Sequence, residues 1–353
     1  MPCLYHNIKK YRIGSVYRPL NIYLYQFMVD KSTLQRKTMR FLIVFSLLFL
    51  QLNAKELKPT FIYSGSGAVT DLVYQNNKLY SATAEGAVDI YDTKEQKLIK
   101  TITVPKIKDF IGDEVASKLY SVDIIDNKIM ITSQGKMGYR RVHIYTDNNL
   151  TQIISTNNSY TIAKSKFIDS NHLLIALLSN ELILFDIKEQ KALYREQISA
   201  SKFSSFALNE KKNEVIIADE SGELKLVSVK DGKIIKELKG QNVDNIFQVD
   251  YKNNTLITAG QDRRTAIYSK DGKVAYYKSG TFLIYSSALS PSAKIGAYAS
   301  DEHNNVTLFD TSSKADLYKL GSHKATISNI LFIDEKKLFT ASDDKEINYW
   351  ELP

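Results

Sequence analysis

From residue 58 onward the chain alternates apolar and polar positions in short runs separated by polar turns. Val69–Tyr74, Lys78–Thr83, Ala87–Asp92 and Lys97–Thr103 read as four consecutive strands, parted by the polar stretches 75–77, 84–86 and 93–96. Later turns such as 230–232, 252–254 and 270–272 carry Asp, Asn and Gly, which tolerate the positive φ of tight hairpins. No amphipathic run of helical period extends beyond a turn or two, so the scaffold is nearly all strand. The four-strand unit then repeats. Aligned on the residue near the end of the third strand, Tyr91, Tyr145, Phe185, Val227, Tyr268, Phe309 and Trp350 follow one another in steps of 54, 40, 42, 41, 41 and 41 residues. A period of about 40 to 45 residues is that of a propeller blade, in which each four-stranded sheet covers the face its neighbour cannot bury alone. The expectation is an all-β fold, a seven-bladed β-propeller over residues 55–353.

The seventh unit reaches Pro353 after only three strands, while Thr60–Ser64 stands unassigned before the first. The economical solution makes Thr60–Ser64 the outer strand of the last blade. Ring closure of that kind joins the chain ends and removes an open edge.

The last repeat resembles a WD40 repeat. His323 follows Gly321 and Ser322, Asp344 lies in the turn, and Trp350 with Glu351 stands where Trp-Asp is usual. The resemblance implies a hydrogen-bonded structural network of His323, Thr340, Asp344 and Trp350. Thr258 and Asp262 keep part of it in the fifth blade, whereas Glu85, Tyr139, Ser179, Ser221 and His303 depart from it at the turn position.

The first 54 residues differ in composition. Met39 and Arg40 precede the apolar run Phe41–Leu50, and Leu52 and Ala54 occupy the small-residue positions before a cut, a secretory signal pattern. Residues 1–54 are therefore expected to be a leader, with translation starting at Met1 or at Met39, and the mature chain to be periplasmic without a stable membrane span. Of the whole chain's net charge of +8, the leader contributes +7, from eight Lys or Arg against Asp30. Without a basic mature surface, nucleic-acid binding loses its support. The single cysteine, Cys3, also lies in the leader. The mature chain thus has neither a disulfide nor a cysteine metal site. Its four histidines, His143, His172, His303 and His323, fall at unrelated positions of the repeat, so no metal site is expected. Asp343 and Asp344 occupy a hairpin turn, and Gly65–Gly67 lacks the strand-turn-helix setting of a nucleophile elbow. No catalytic residue and no cofactor are assigned.

The 54-residue step marks the irregular sector. Its extra residues fall in 104–117, between blades one and two, and in 134–141, between the second and third strands of blade two. Propeller geometry sends both loops to the same face. Asp109, Phe110 and Asp113 from the first, with Tyr139, Arg140 and Arg141 from the second, form the candidate partner-binding patch, since loops on a rigid frame carry function. Arg263 and Arg264 open the equivalent strand of blade five on that face and complete the set, Arg and Tyr being enriched at interface hot spots.

Val69–Tyr74, Leu79–Asp92, Lys106–Asp113 and Gly138–Arg141 resemble segments of the propeller accessory family known as the L component of periplasmic nitrate reductase systems. That resemblance implies a monomeric, non-enzymatic module acting on the maturation or activity of the reductase, its partner being a reductase subunit or maturation factor. Two alternatives stand beside it. One is a scaffold for envelope assembly. The other is a propeller enzyme of the lactonase or quinone-dependent dehydrogenase type, which needs acids, His or Trp around the channel, where the inner strands here read mostly as Ser, Thr and apolar residues.

Overall fold

The computed structural model describes residues 54–353, and the leader expected over 1–54, with its export signal and alternative start, lies outside the described residues apart from Ala54. Seven antiparallel four-stranded sheets follow one another along the chain. Blade one comprises Val69–Gln75, Lys78–Thr83, Ala87–Asp92 and Lys97–Thr103, and the first strands of blades two to seven begin at Leu119, Ile162, Phe203, Ile246, Ser287 and Ile327. First strands touch their neighbours round the ring, and that of blade seven meets that of blade one. Among the described residues no helix is long and apolar enough to cross a membrane.

The core is divided among the seams between blades. Each of seven apolar clusters draws its side chains from two adjacent sheets, as where Met130 and Ile144 of blade two meet Phe167 and Phe185 of blade three. The aligned residues Tyr91, Phe185, Val227, Tyr268, Phe309 and Trp350 are all buried in these seams. Tyr145 is half-exposed and lies under the Lys100 ammonium, 4.8 Å from its ring centroid. Burial of such large side chains on both faces is what fixes the period, since a shift of one residue would turn a strand's apolar set outward.

Closure follows the expected route. Phe61–Ser64 pairs antiparallel with Glu346–Glu351, Phe61 opposite Tyr349 and Ser64 opposite Glu346, and the Thr60 amide donates to the Tyr349 carbonyl at 2.8 Å. Tyr63, only 3 % exposed, packs edge-on against Tyr91 of blade one at 5.1 Å and near Phe339 of blade seven at 6.1 Å. A further strand, Lys55–Leu57, was not anticipated. It adds in parallel to the outer edge of blade six, Lys55 opposite Tyr318 and Leu57 opposite Leu320. The N-terminal segment therefore clasps two consecutive blades.

Candidate interaction surface

The network expected in blade seven is present and contains one more member. The Trp350 Nε1–H donates to Thr340 Oγ1 at 2.9 Å, and Thr340 Oγ1 lies 2.7 Å from His323 Nε2. His323 Nδ1 lies 2.9 Å from Ser342 Oγ, which donates to Asp344 at 2.9 Å. With the proton on Nδ1, donors and acceptors run in one direction from Trp350 to Asp344. Burial pushes His323 down to about 4, so the ring is neutral at pH 7. Ser342 is the link the sequence reading missed. Blade four carries the same pair in reverse order, Ser221 donating to Asp219. In blade five Asn242 stands in for histidine, accepting from Thr258 at 2.7 Å and donating to Asp262 at 3.1 Å. In blade six Asp301 holds the turn by accepting from the amides of His303 and Asn305.

The two insertions are brought side by side. Within 104–117 a small hairpin forms, Ile107 and Lys108 pairing with Glu114 and Val115. Asp109 ties its tip by accepting from the amides of Ile111, Gly112 and Asp113. Phe110 is 98 % exposed at that tip, beside exposed Ile111. Within 134–141 a single turn, Lys136–Gly138, holds Met137 in the left-handed region at φ 56° with its side chain 92 % exposed. A non-glycine residue in that region costs about 1 kcal/mol. Local stability does not explain why this apolar side chain is held there.

Arg141 joins the loops, and Arg140 ties the second of them to blades two and three. Arg141 donates through Nη2 to the Pro105 carbonyl and Ser117 Oγ, each at 2.7 Å, and through Nε to the Gln134 carbonyl at 3.1 Å. Arg140 lies over the Tyr120 ring with its guanidinium carbon 3.4 Å from the centroid, and donates to the Ile162 carbonyl of blade three. Both bind backbone carbonyls, so they shape this face. Tyr139 is half-exposed and Asp113 exposed beside them. Between the loops lies a cleft of about 400 Å³ lined by Lys106, Lys108, Lys136 and Arg141, with Glu114 as its one acid. Arg263 and Arg264 belong to blade five and do not join this cluster. Arg263 is exposed in a turn at φ 63°. Arg264 stacks on Tyr277 at 4.4 Å and donates to the Gln241 carbonyl at 2.8 Å.

Two curated proteins are similar to the chain. Apoptotic protease-activating factor 1 of Homo sapiens is 25% identical over 286 residues, 77% of this chain and 22% of that protein. The guanine nucleotide-binding protein subunit beta of Schizosaccharomyces pombe is 27% identical over 136 residues, 38% of this chain and 44% of that protein. The chain spans less than half the length of either relative, and no family model matches it. The fold is a WD40-like seven-bladed propeller. Both matches accord with that fold.

The channel differs from the expectation of Ser, Thr and apolar linings. Asp71, Asp123, Lys164, Lys166, Gln248, Asp250 and Asn329 all face it. The reason is a repeated irregularity. In blades one, three, five and seven the register slips just before Asp71, Lys164, Gln248 and Asn329. Such a bulge re-aims the next side chain, here toward the axis. The skipped residues, Thr70, Ala163, Phe247 and Ser328, break the strict alternation. That break was the available signal.

Proposed function

We propose that the chain is an exported, non-enzymatic interaction module whose insertion-bearing face docks a second envelope protein. The observation that carries this reading is the pair Phe110 and Met137, two large apolar side chains almost wholly in solvent at adjacent loop tips. Water-exposed apolar tips on a rigid frame gain about 1.5 to 3 kcal/mol each when buried, enough to anchor an interface. The basic cleft beside them favours a partner that presents an acidic group next to an apolar socket. Arg140 and Arg141 hold the two loops in place, and Asp109 fixes the hairpin tip, so these three act through the shape they impose. Asp113 and Tyr139 border the contact, while Arg263 and Arg264 belong to a separate sector of the same face.

The finer reading, a role in the maturation or activity of periplasmic nitrate reductase, rests on the quoted sequence segments alone. Co-purification of the tagged mature protein with the reductase subunits tests it. The Phe110→Ala, Met137→Ala double variant should lose the reductase while keeping its melting temperature. Equal recovery with the variant removes the patch. Recovery of a different envelope protein, lost in the variant, keeps the docking surface and rejects the reductase.

A further inference from the structure

The axis of the ring carries a second site, independent of the insertion face. Two cavities of about 370 and 170 Å³ occupy the channel, the larger toward the turns that follow the first strands, the smaller toward the insertion-bearing face. Asp71, Lys164, Gln248 and Asn329 line both, so these post-bulge residues form the neck between them. The polar groups here divide into those already committed and those that are not.

The carboxylates are committed. Asp71 accepts from the Leu72 and Val122 amides and from the Lys166 ammonium at 3.0 to 3.1 Å. Asp123 accepts from the Phe167 amide at 2.8 Å, and Asp250 from the Tyr251 and Leu289 amides at 2.8 and 3.0 Å. Four of these six bonds cross between blades, Lys166 reaching from blade three to blade one, and hold the ring. Lys166 also donates to the Val122 carbonyl, and Lys212 to the Phe167 carbonyl.

Donors remain. Among the described residues Lys164 makes one hydrogen bond, to the Phe206 carbonyl at 3.0 Å, and forms no ion pair, which leaves two of its three N–H groups. Asn329, 8 % exposed, has an amide nitrogen with no partner among the described residues. The Gln248 oxygen accepts from the Ser287 amide, so its NH₂ points elsewhere. A buried donor without a partner costs about 1 to 3 kcal/mol, and a bound acceptor removes that cost. The neighbouring carboxylates disfavour a multiply charged ligand. Val73, Leu208, Leu331 and Phe332, partly exposed along the larger cavity, supply apolar wall for an organic body.

We propose that the channel neck binds a small organic monocarboxylate, its carboxylate oxygens accepting from Lys164 Nζ, Asn329 Nδ2 and Gln248 Nε2 while its apolar part lies in the larger cavity. Burial, with Lys166 nearby, brings Lys164 down to about 8, and a bound carboxylate would raise it again. The test titrates the purified mature protein with benzoate and, separately, with inorganic phosphate, following backbone amide resonances. Benzoate should shift Lys164, Gln248 and Asn329 together and saturably, and Lys164→Met and Asn329→Leu should each weaken it at least tenfold. The resonance map of the unaltered protein stands even where a variant folds poorly. No saturable shift at the three residues with benzoate, a response to phosphate only, or unchanged affinity in well-folded variants would overturn the assignment.

Discussion

Replacing Tyr63 with Ala tests whether the N-terminal strand holds the ring closed. Tyr63 is the one fully buried side chain of the closing strand, edge-on to Tyr91 and Phe339 and 4.8 Å from Phe61. Truncating a large buried aromatic costs about 3 to 5 kcal/mol through lost transfer energy and the cavity left behind. In a chain of this size about 2 °C of melting temperature is lost per kcal/mol, so a fall of about 6 to 10 °C is expected. Ile62, on the same strand but 44 % exposed, serves as the control, and Ile62→Ala should cost far less, about 1 kcal/mol or below. Urea unfolding of both variants, followed by tryptophan fluorescence, reads the midpoints directly. Trp350 is the only tryptophan and sits in blade seven next to the closure. A Tyr63→Ala midpoint within about 1 kcal/mol of the parent would show that the ring is held without this strand.

Further outcomes follow from the same contacts. Burial pushes His323 and His143 each down to about 4, with the Arg141 charge adding to the shift at His143. The unfolded chain takes up protons at these sites near pH 6.5, above the folded values. Their stabilisation is therefore full above pH 6.5 and falls as pH drops toward 4, costing about 2 kcal/mol each by pH 5. Denaturant midpoints between pH 7 and 5 read this loss, and His143→Gln should halve the slope. Thr340→Val removes both the acceptor of the Trp350 N–H and the partner of His323, so calorimetry should show about 2 to 3 kcal/mol lost. Arg141→Ala cuts two bonds between the insertions and one within the second, and should raise hydrogen exchange in 104–117 and 134–141, at a global cost of about 1 to 2 kcal/mol.

The fold was legible because it depends on a repeat that every seam enforces, and because Phe61–Ser64 carries the same alternation as the strand it joins. Lys55–Leu57 escaped notice because three residues, two of them charged, leave no periodic trace. The arginines could be placed on the right loops, but their partners could not be foreseen. Carbonyls at the irregular turns, those of Pro105 and Gln134, hold Arg141. Channel residues were misread for a related reason. A bulge shifts one residue between faces, so polar side chains that alternation assigns to solvent turn toward the axis. Exposure of Phe110 and Met137 likewise depends on the turn geometry holding each tip, which side-chain pattern does not encode.

Site-specific photo-crosslinking in the living cell tests the docking surface most directly, with the crosslinking amino acid placed in turn at 110, 137 and 235. Ile235 is an exposed apolar residue on the outer strand of blade four, away from both insertions. Positions 110 and 137 should capture the same protein while 235 captures none. The same product from all three positions, or none from 110 and 137, would contradict a contact surface built by the two insertions.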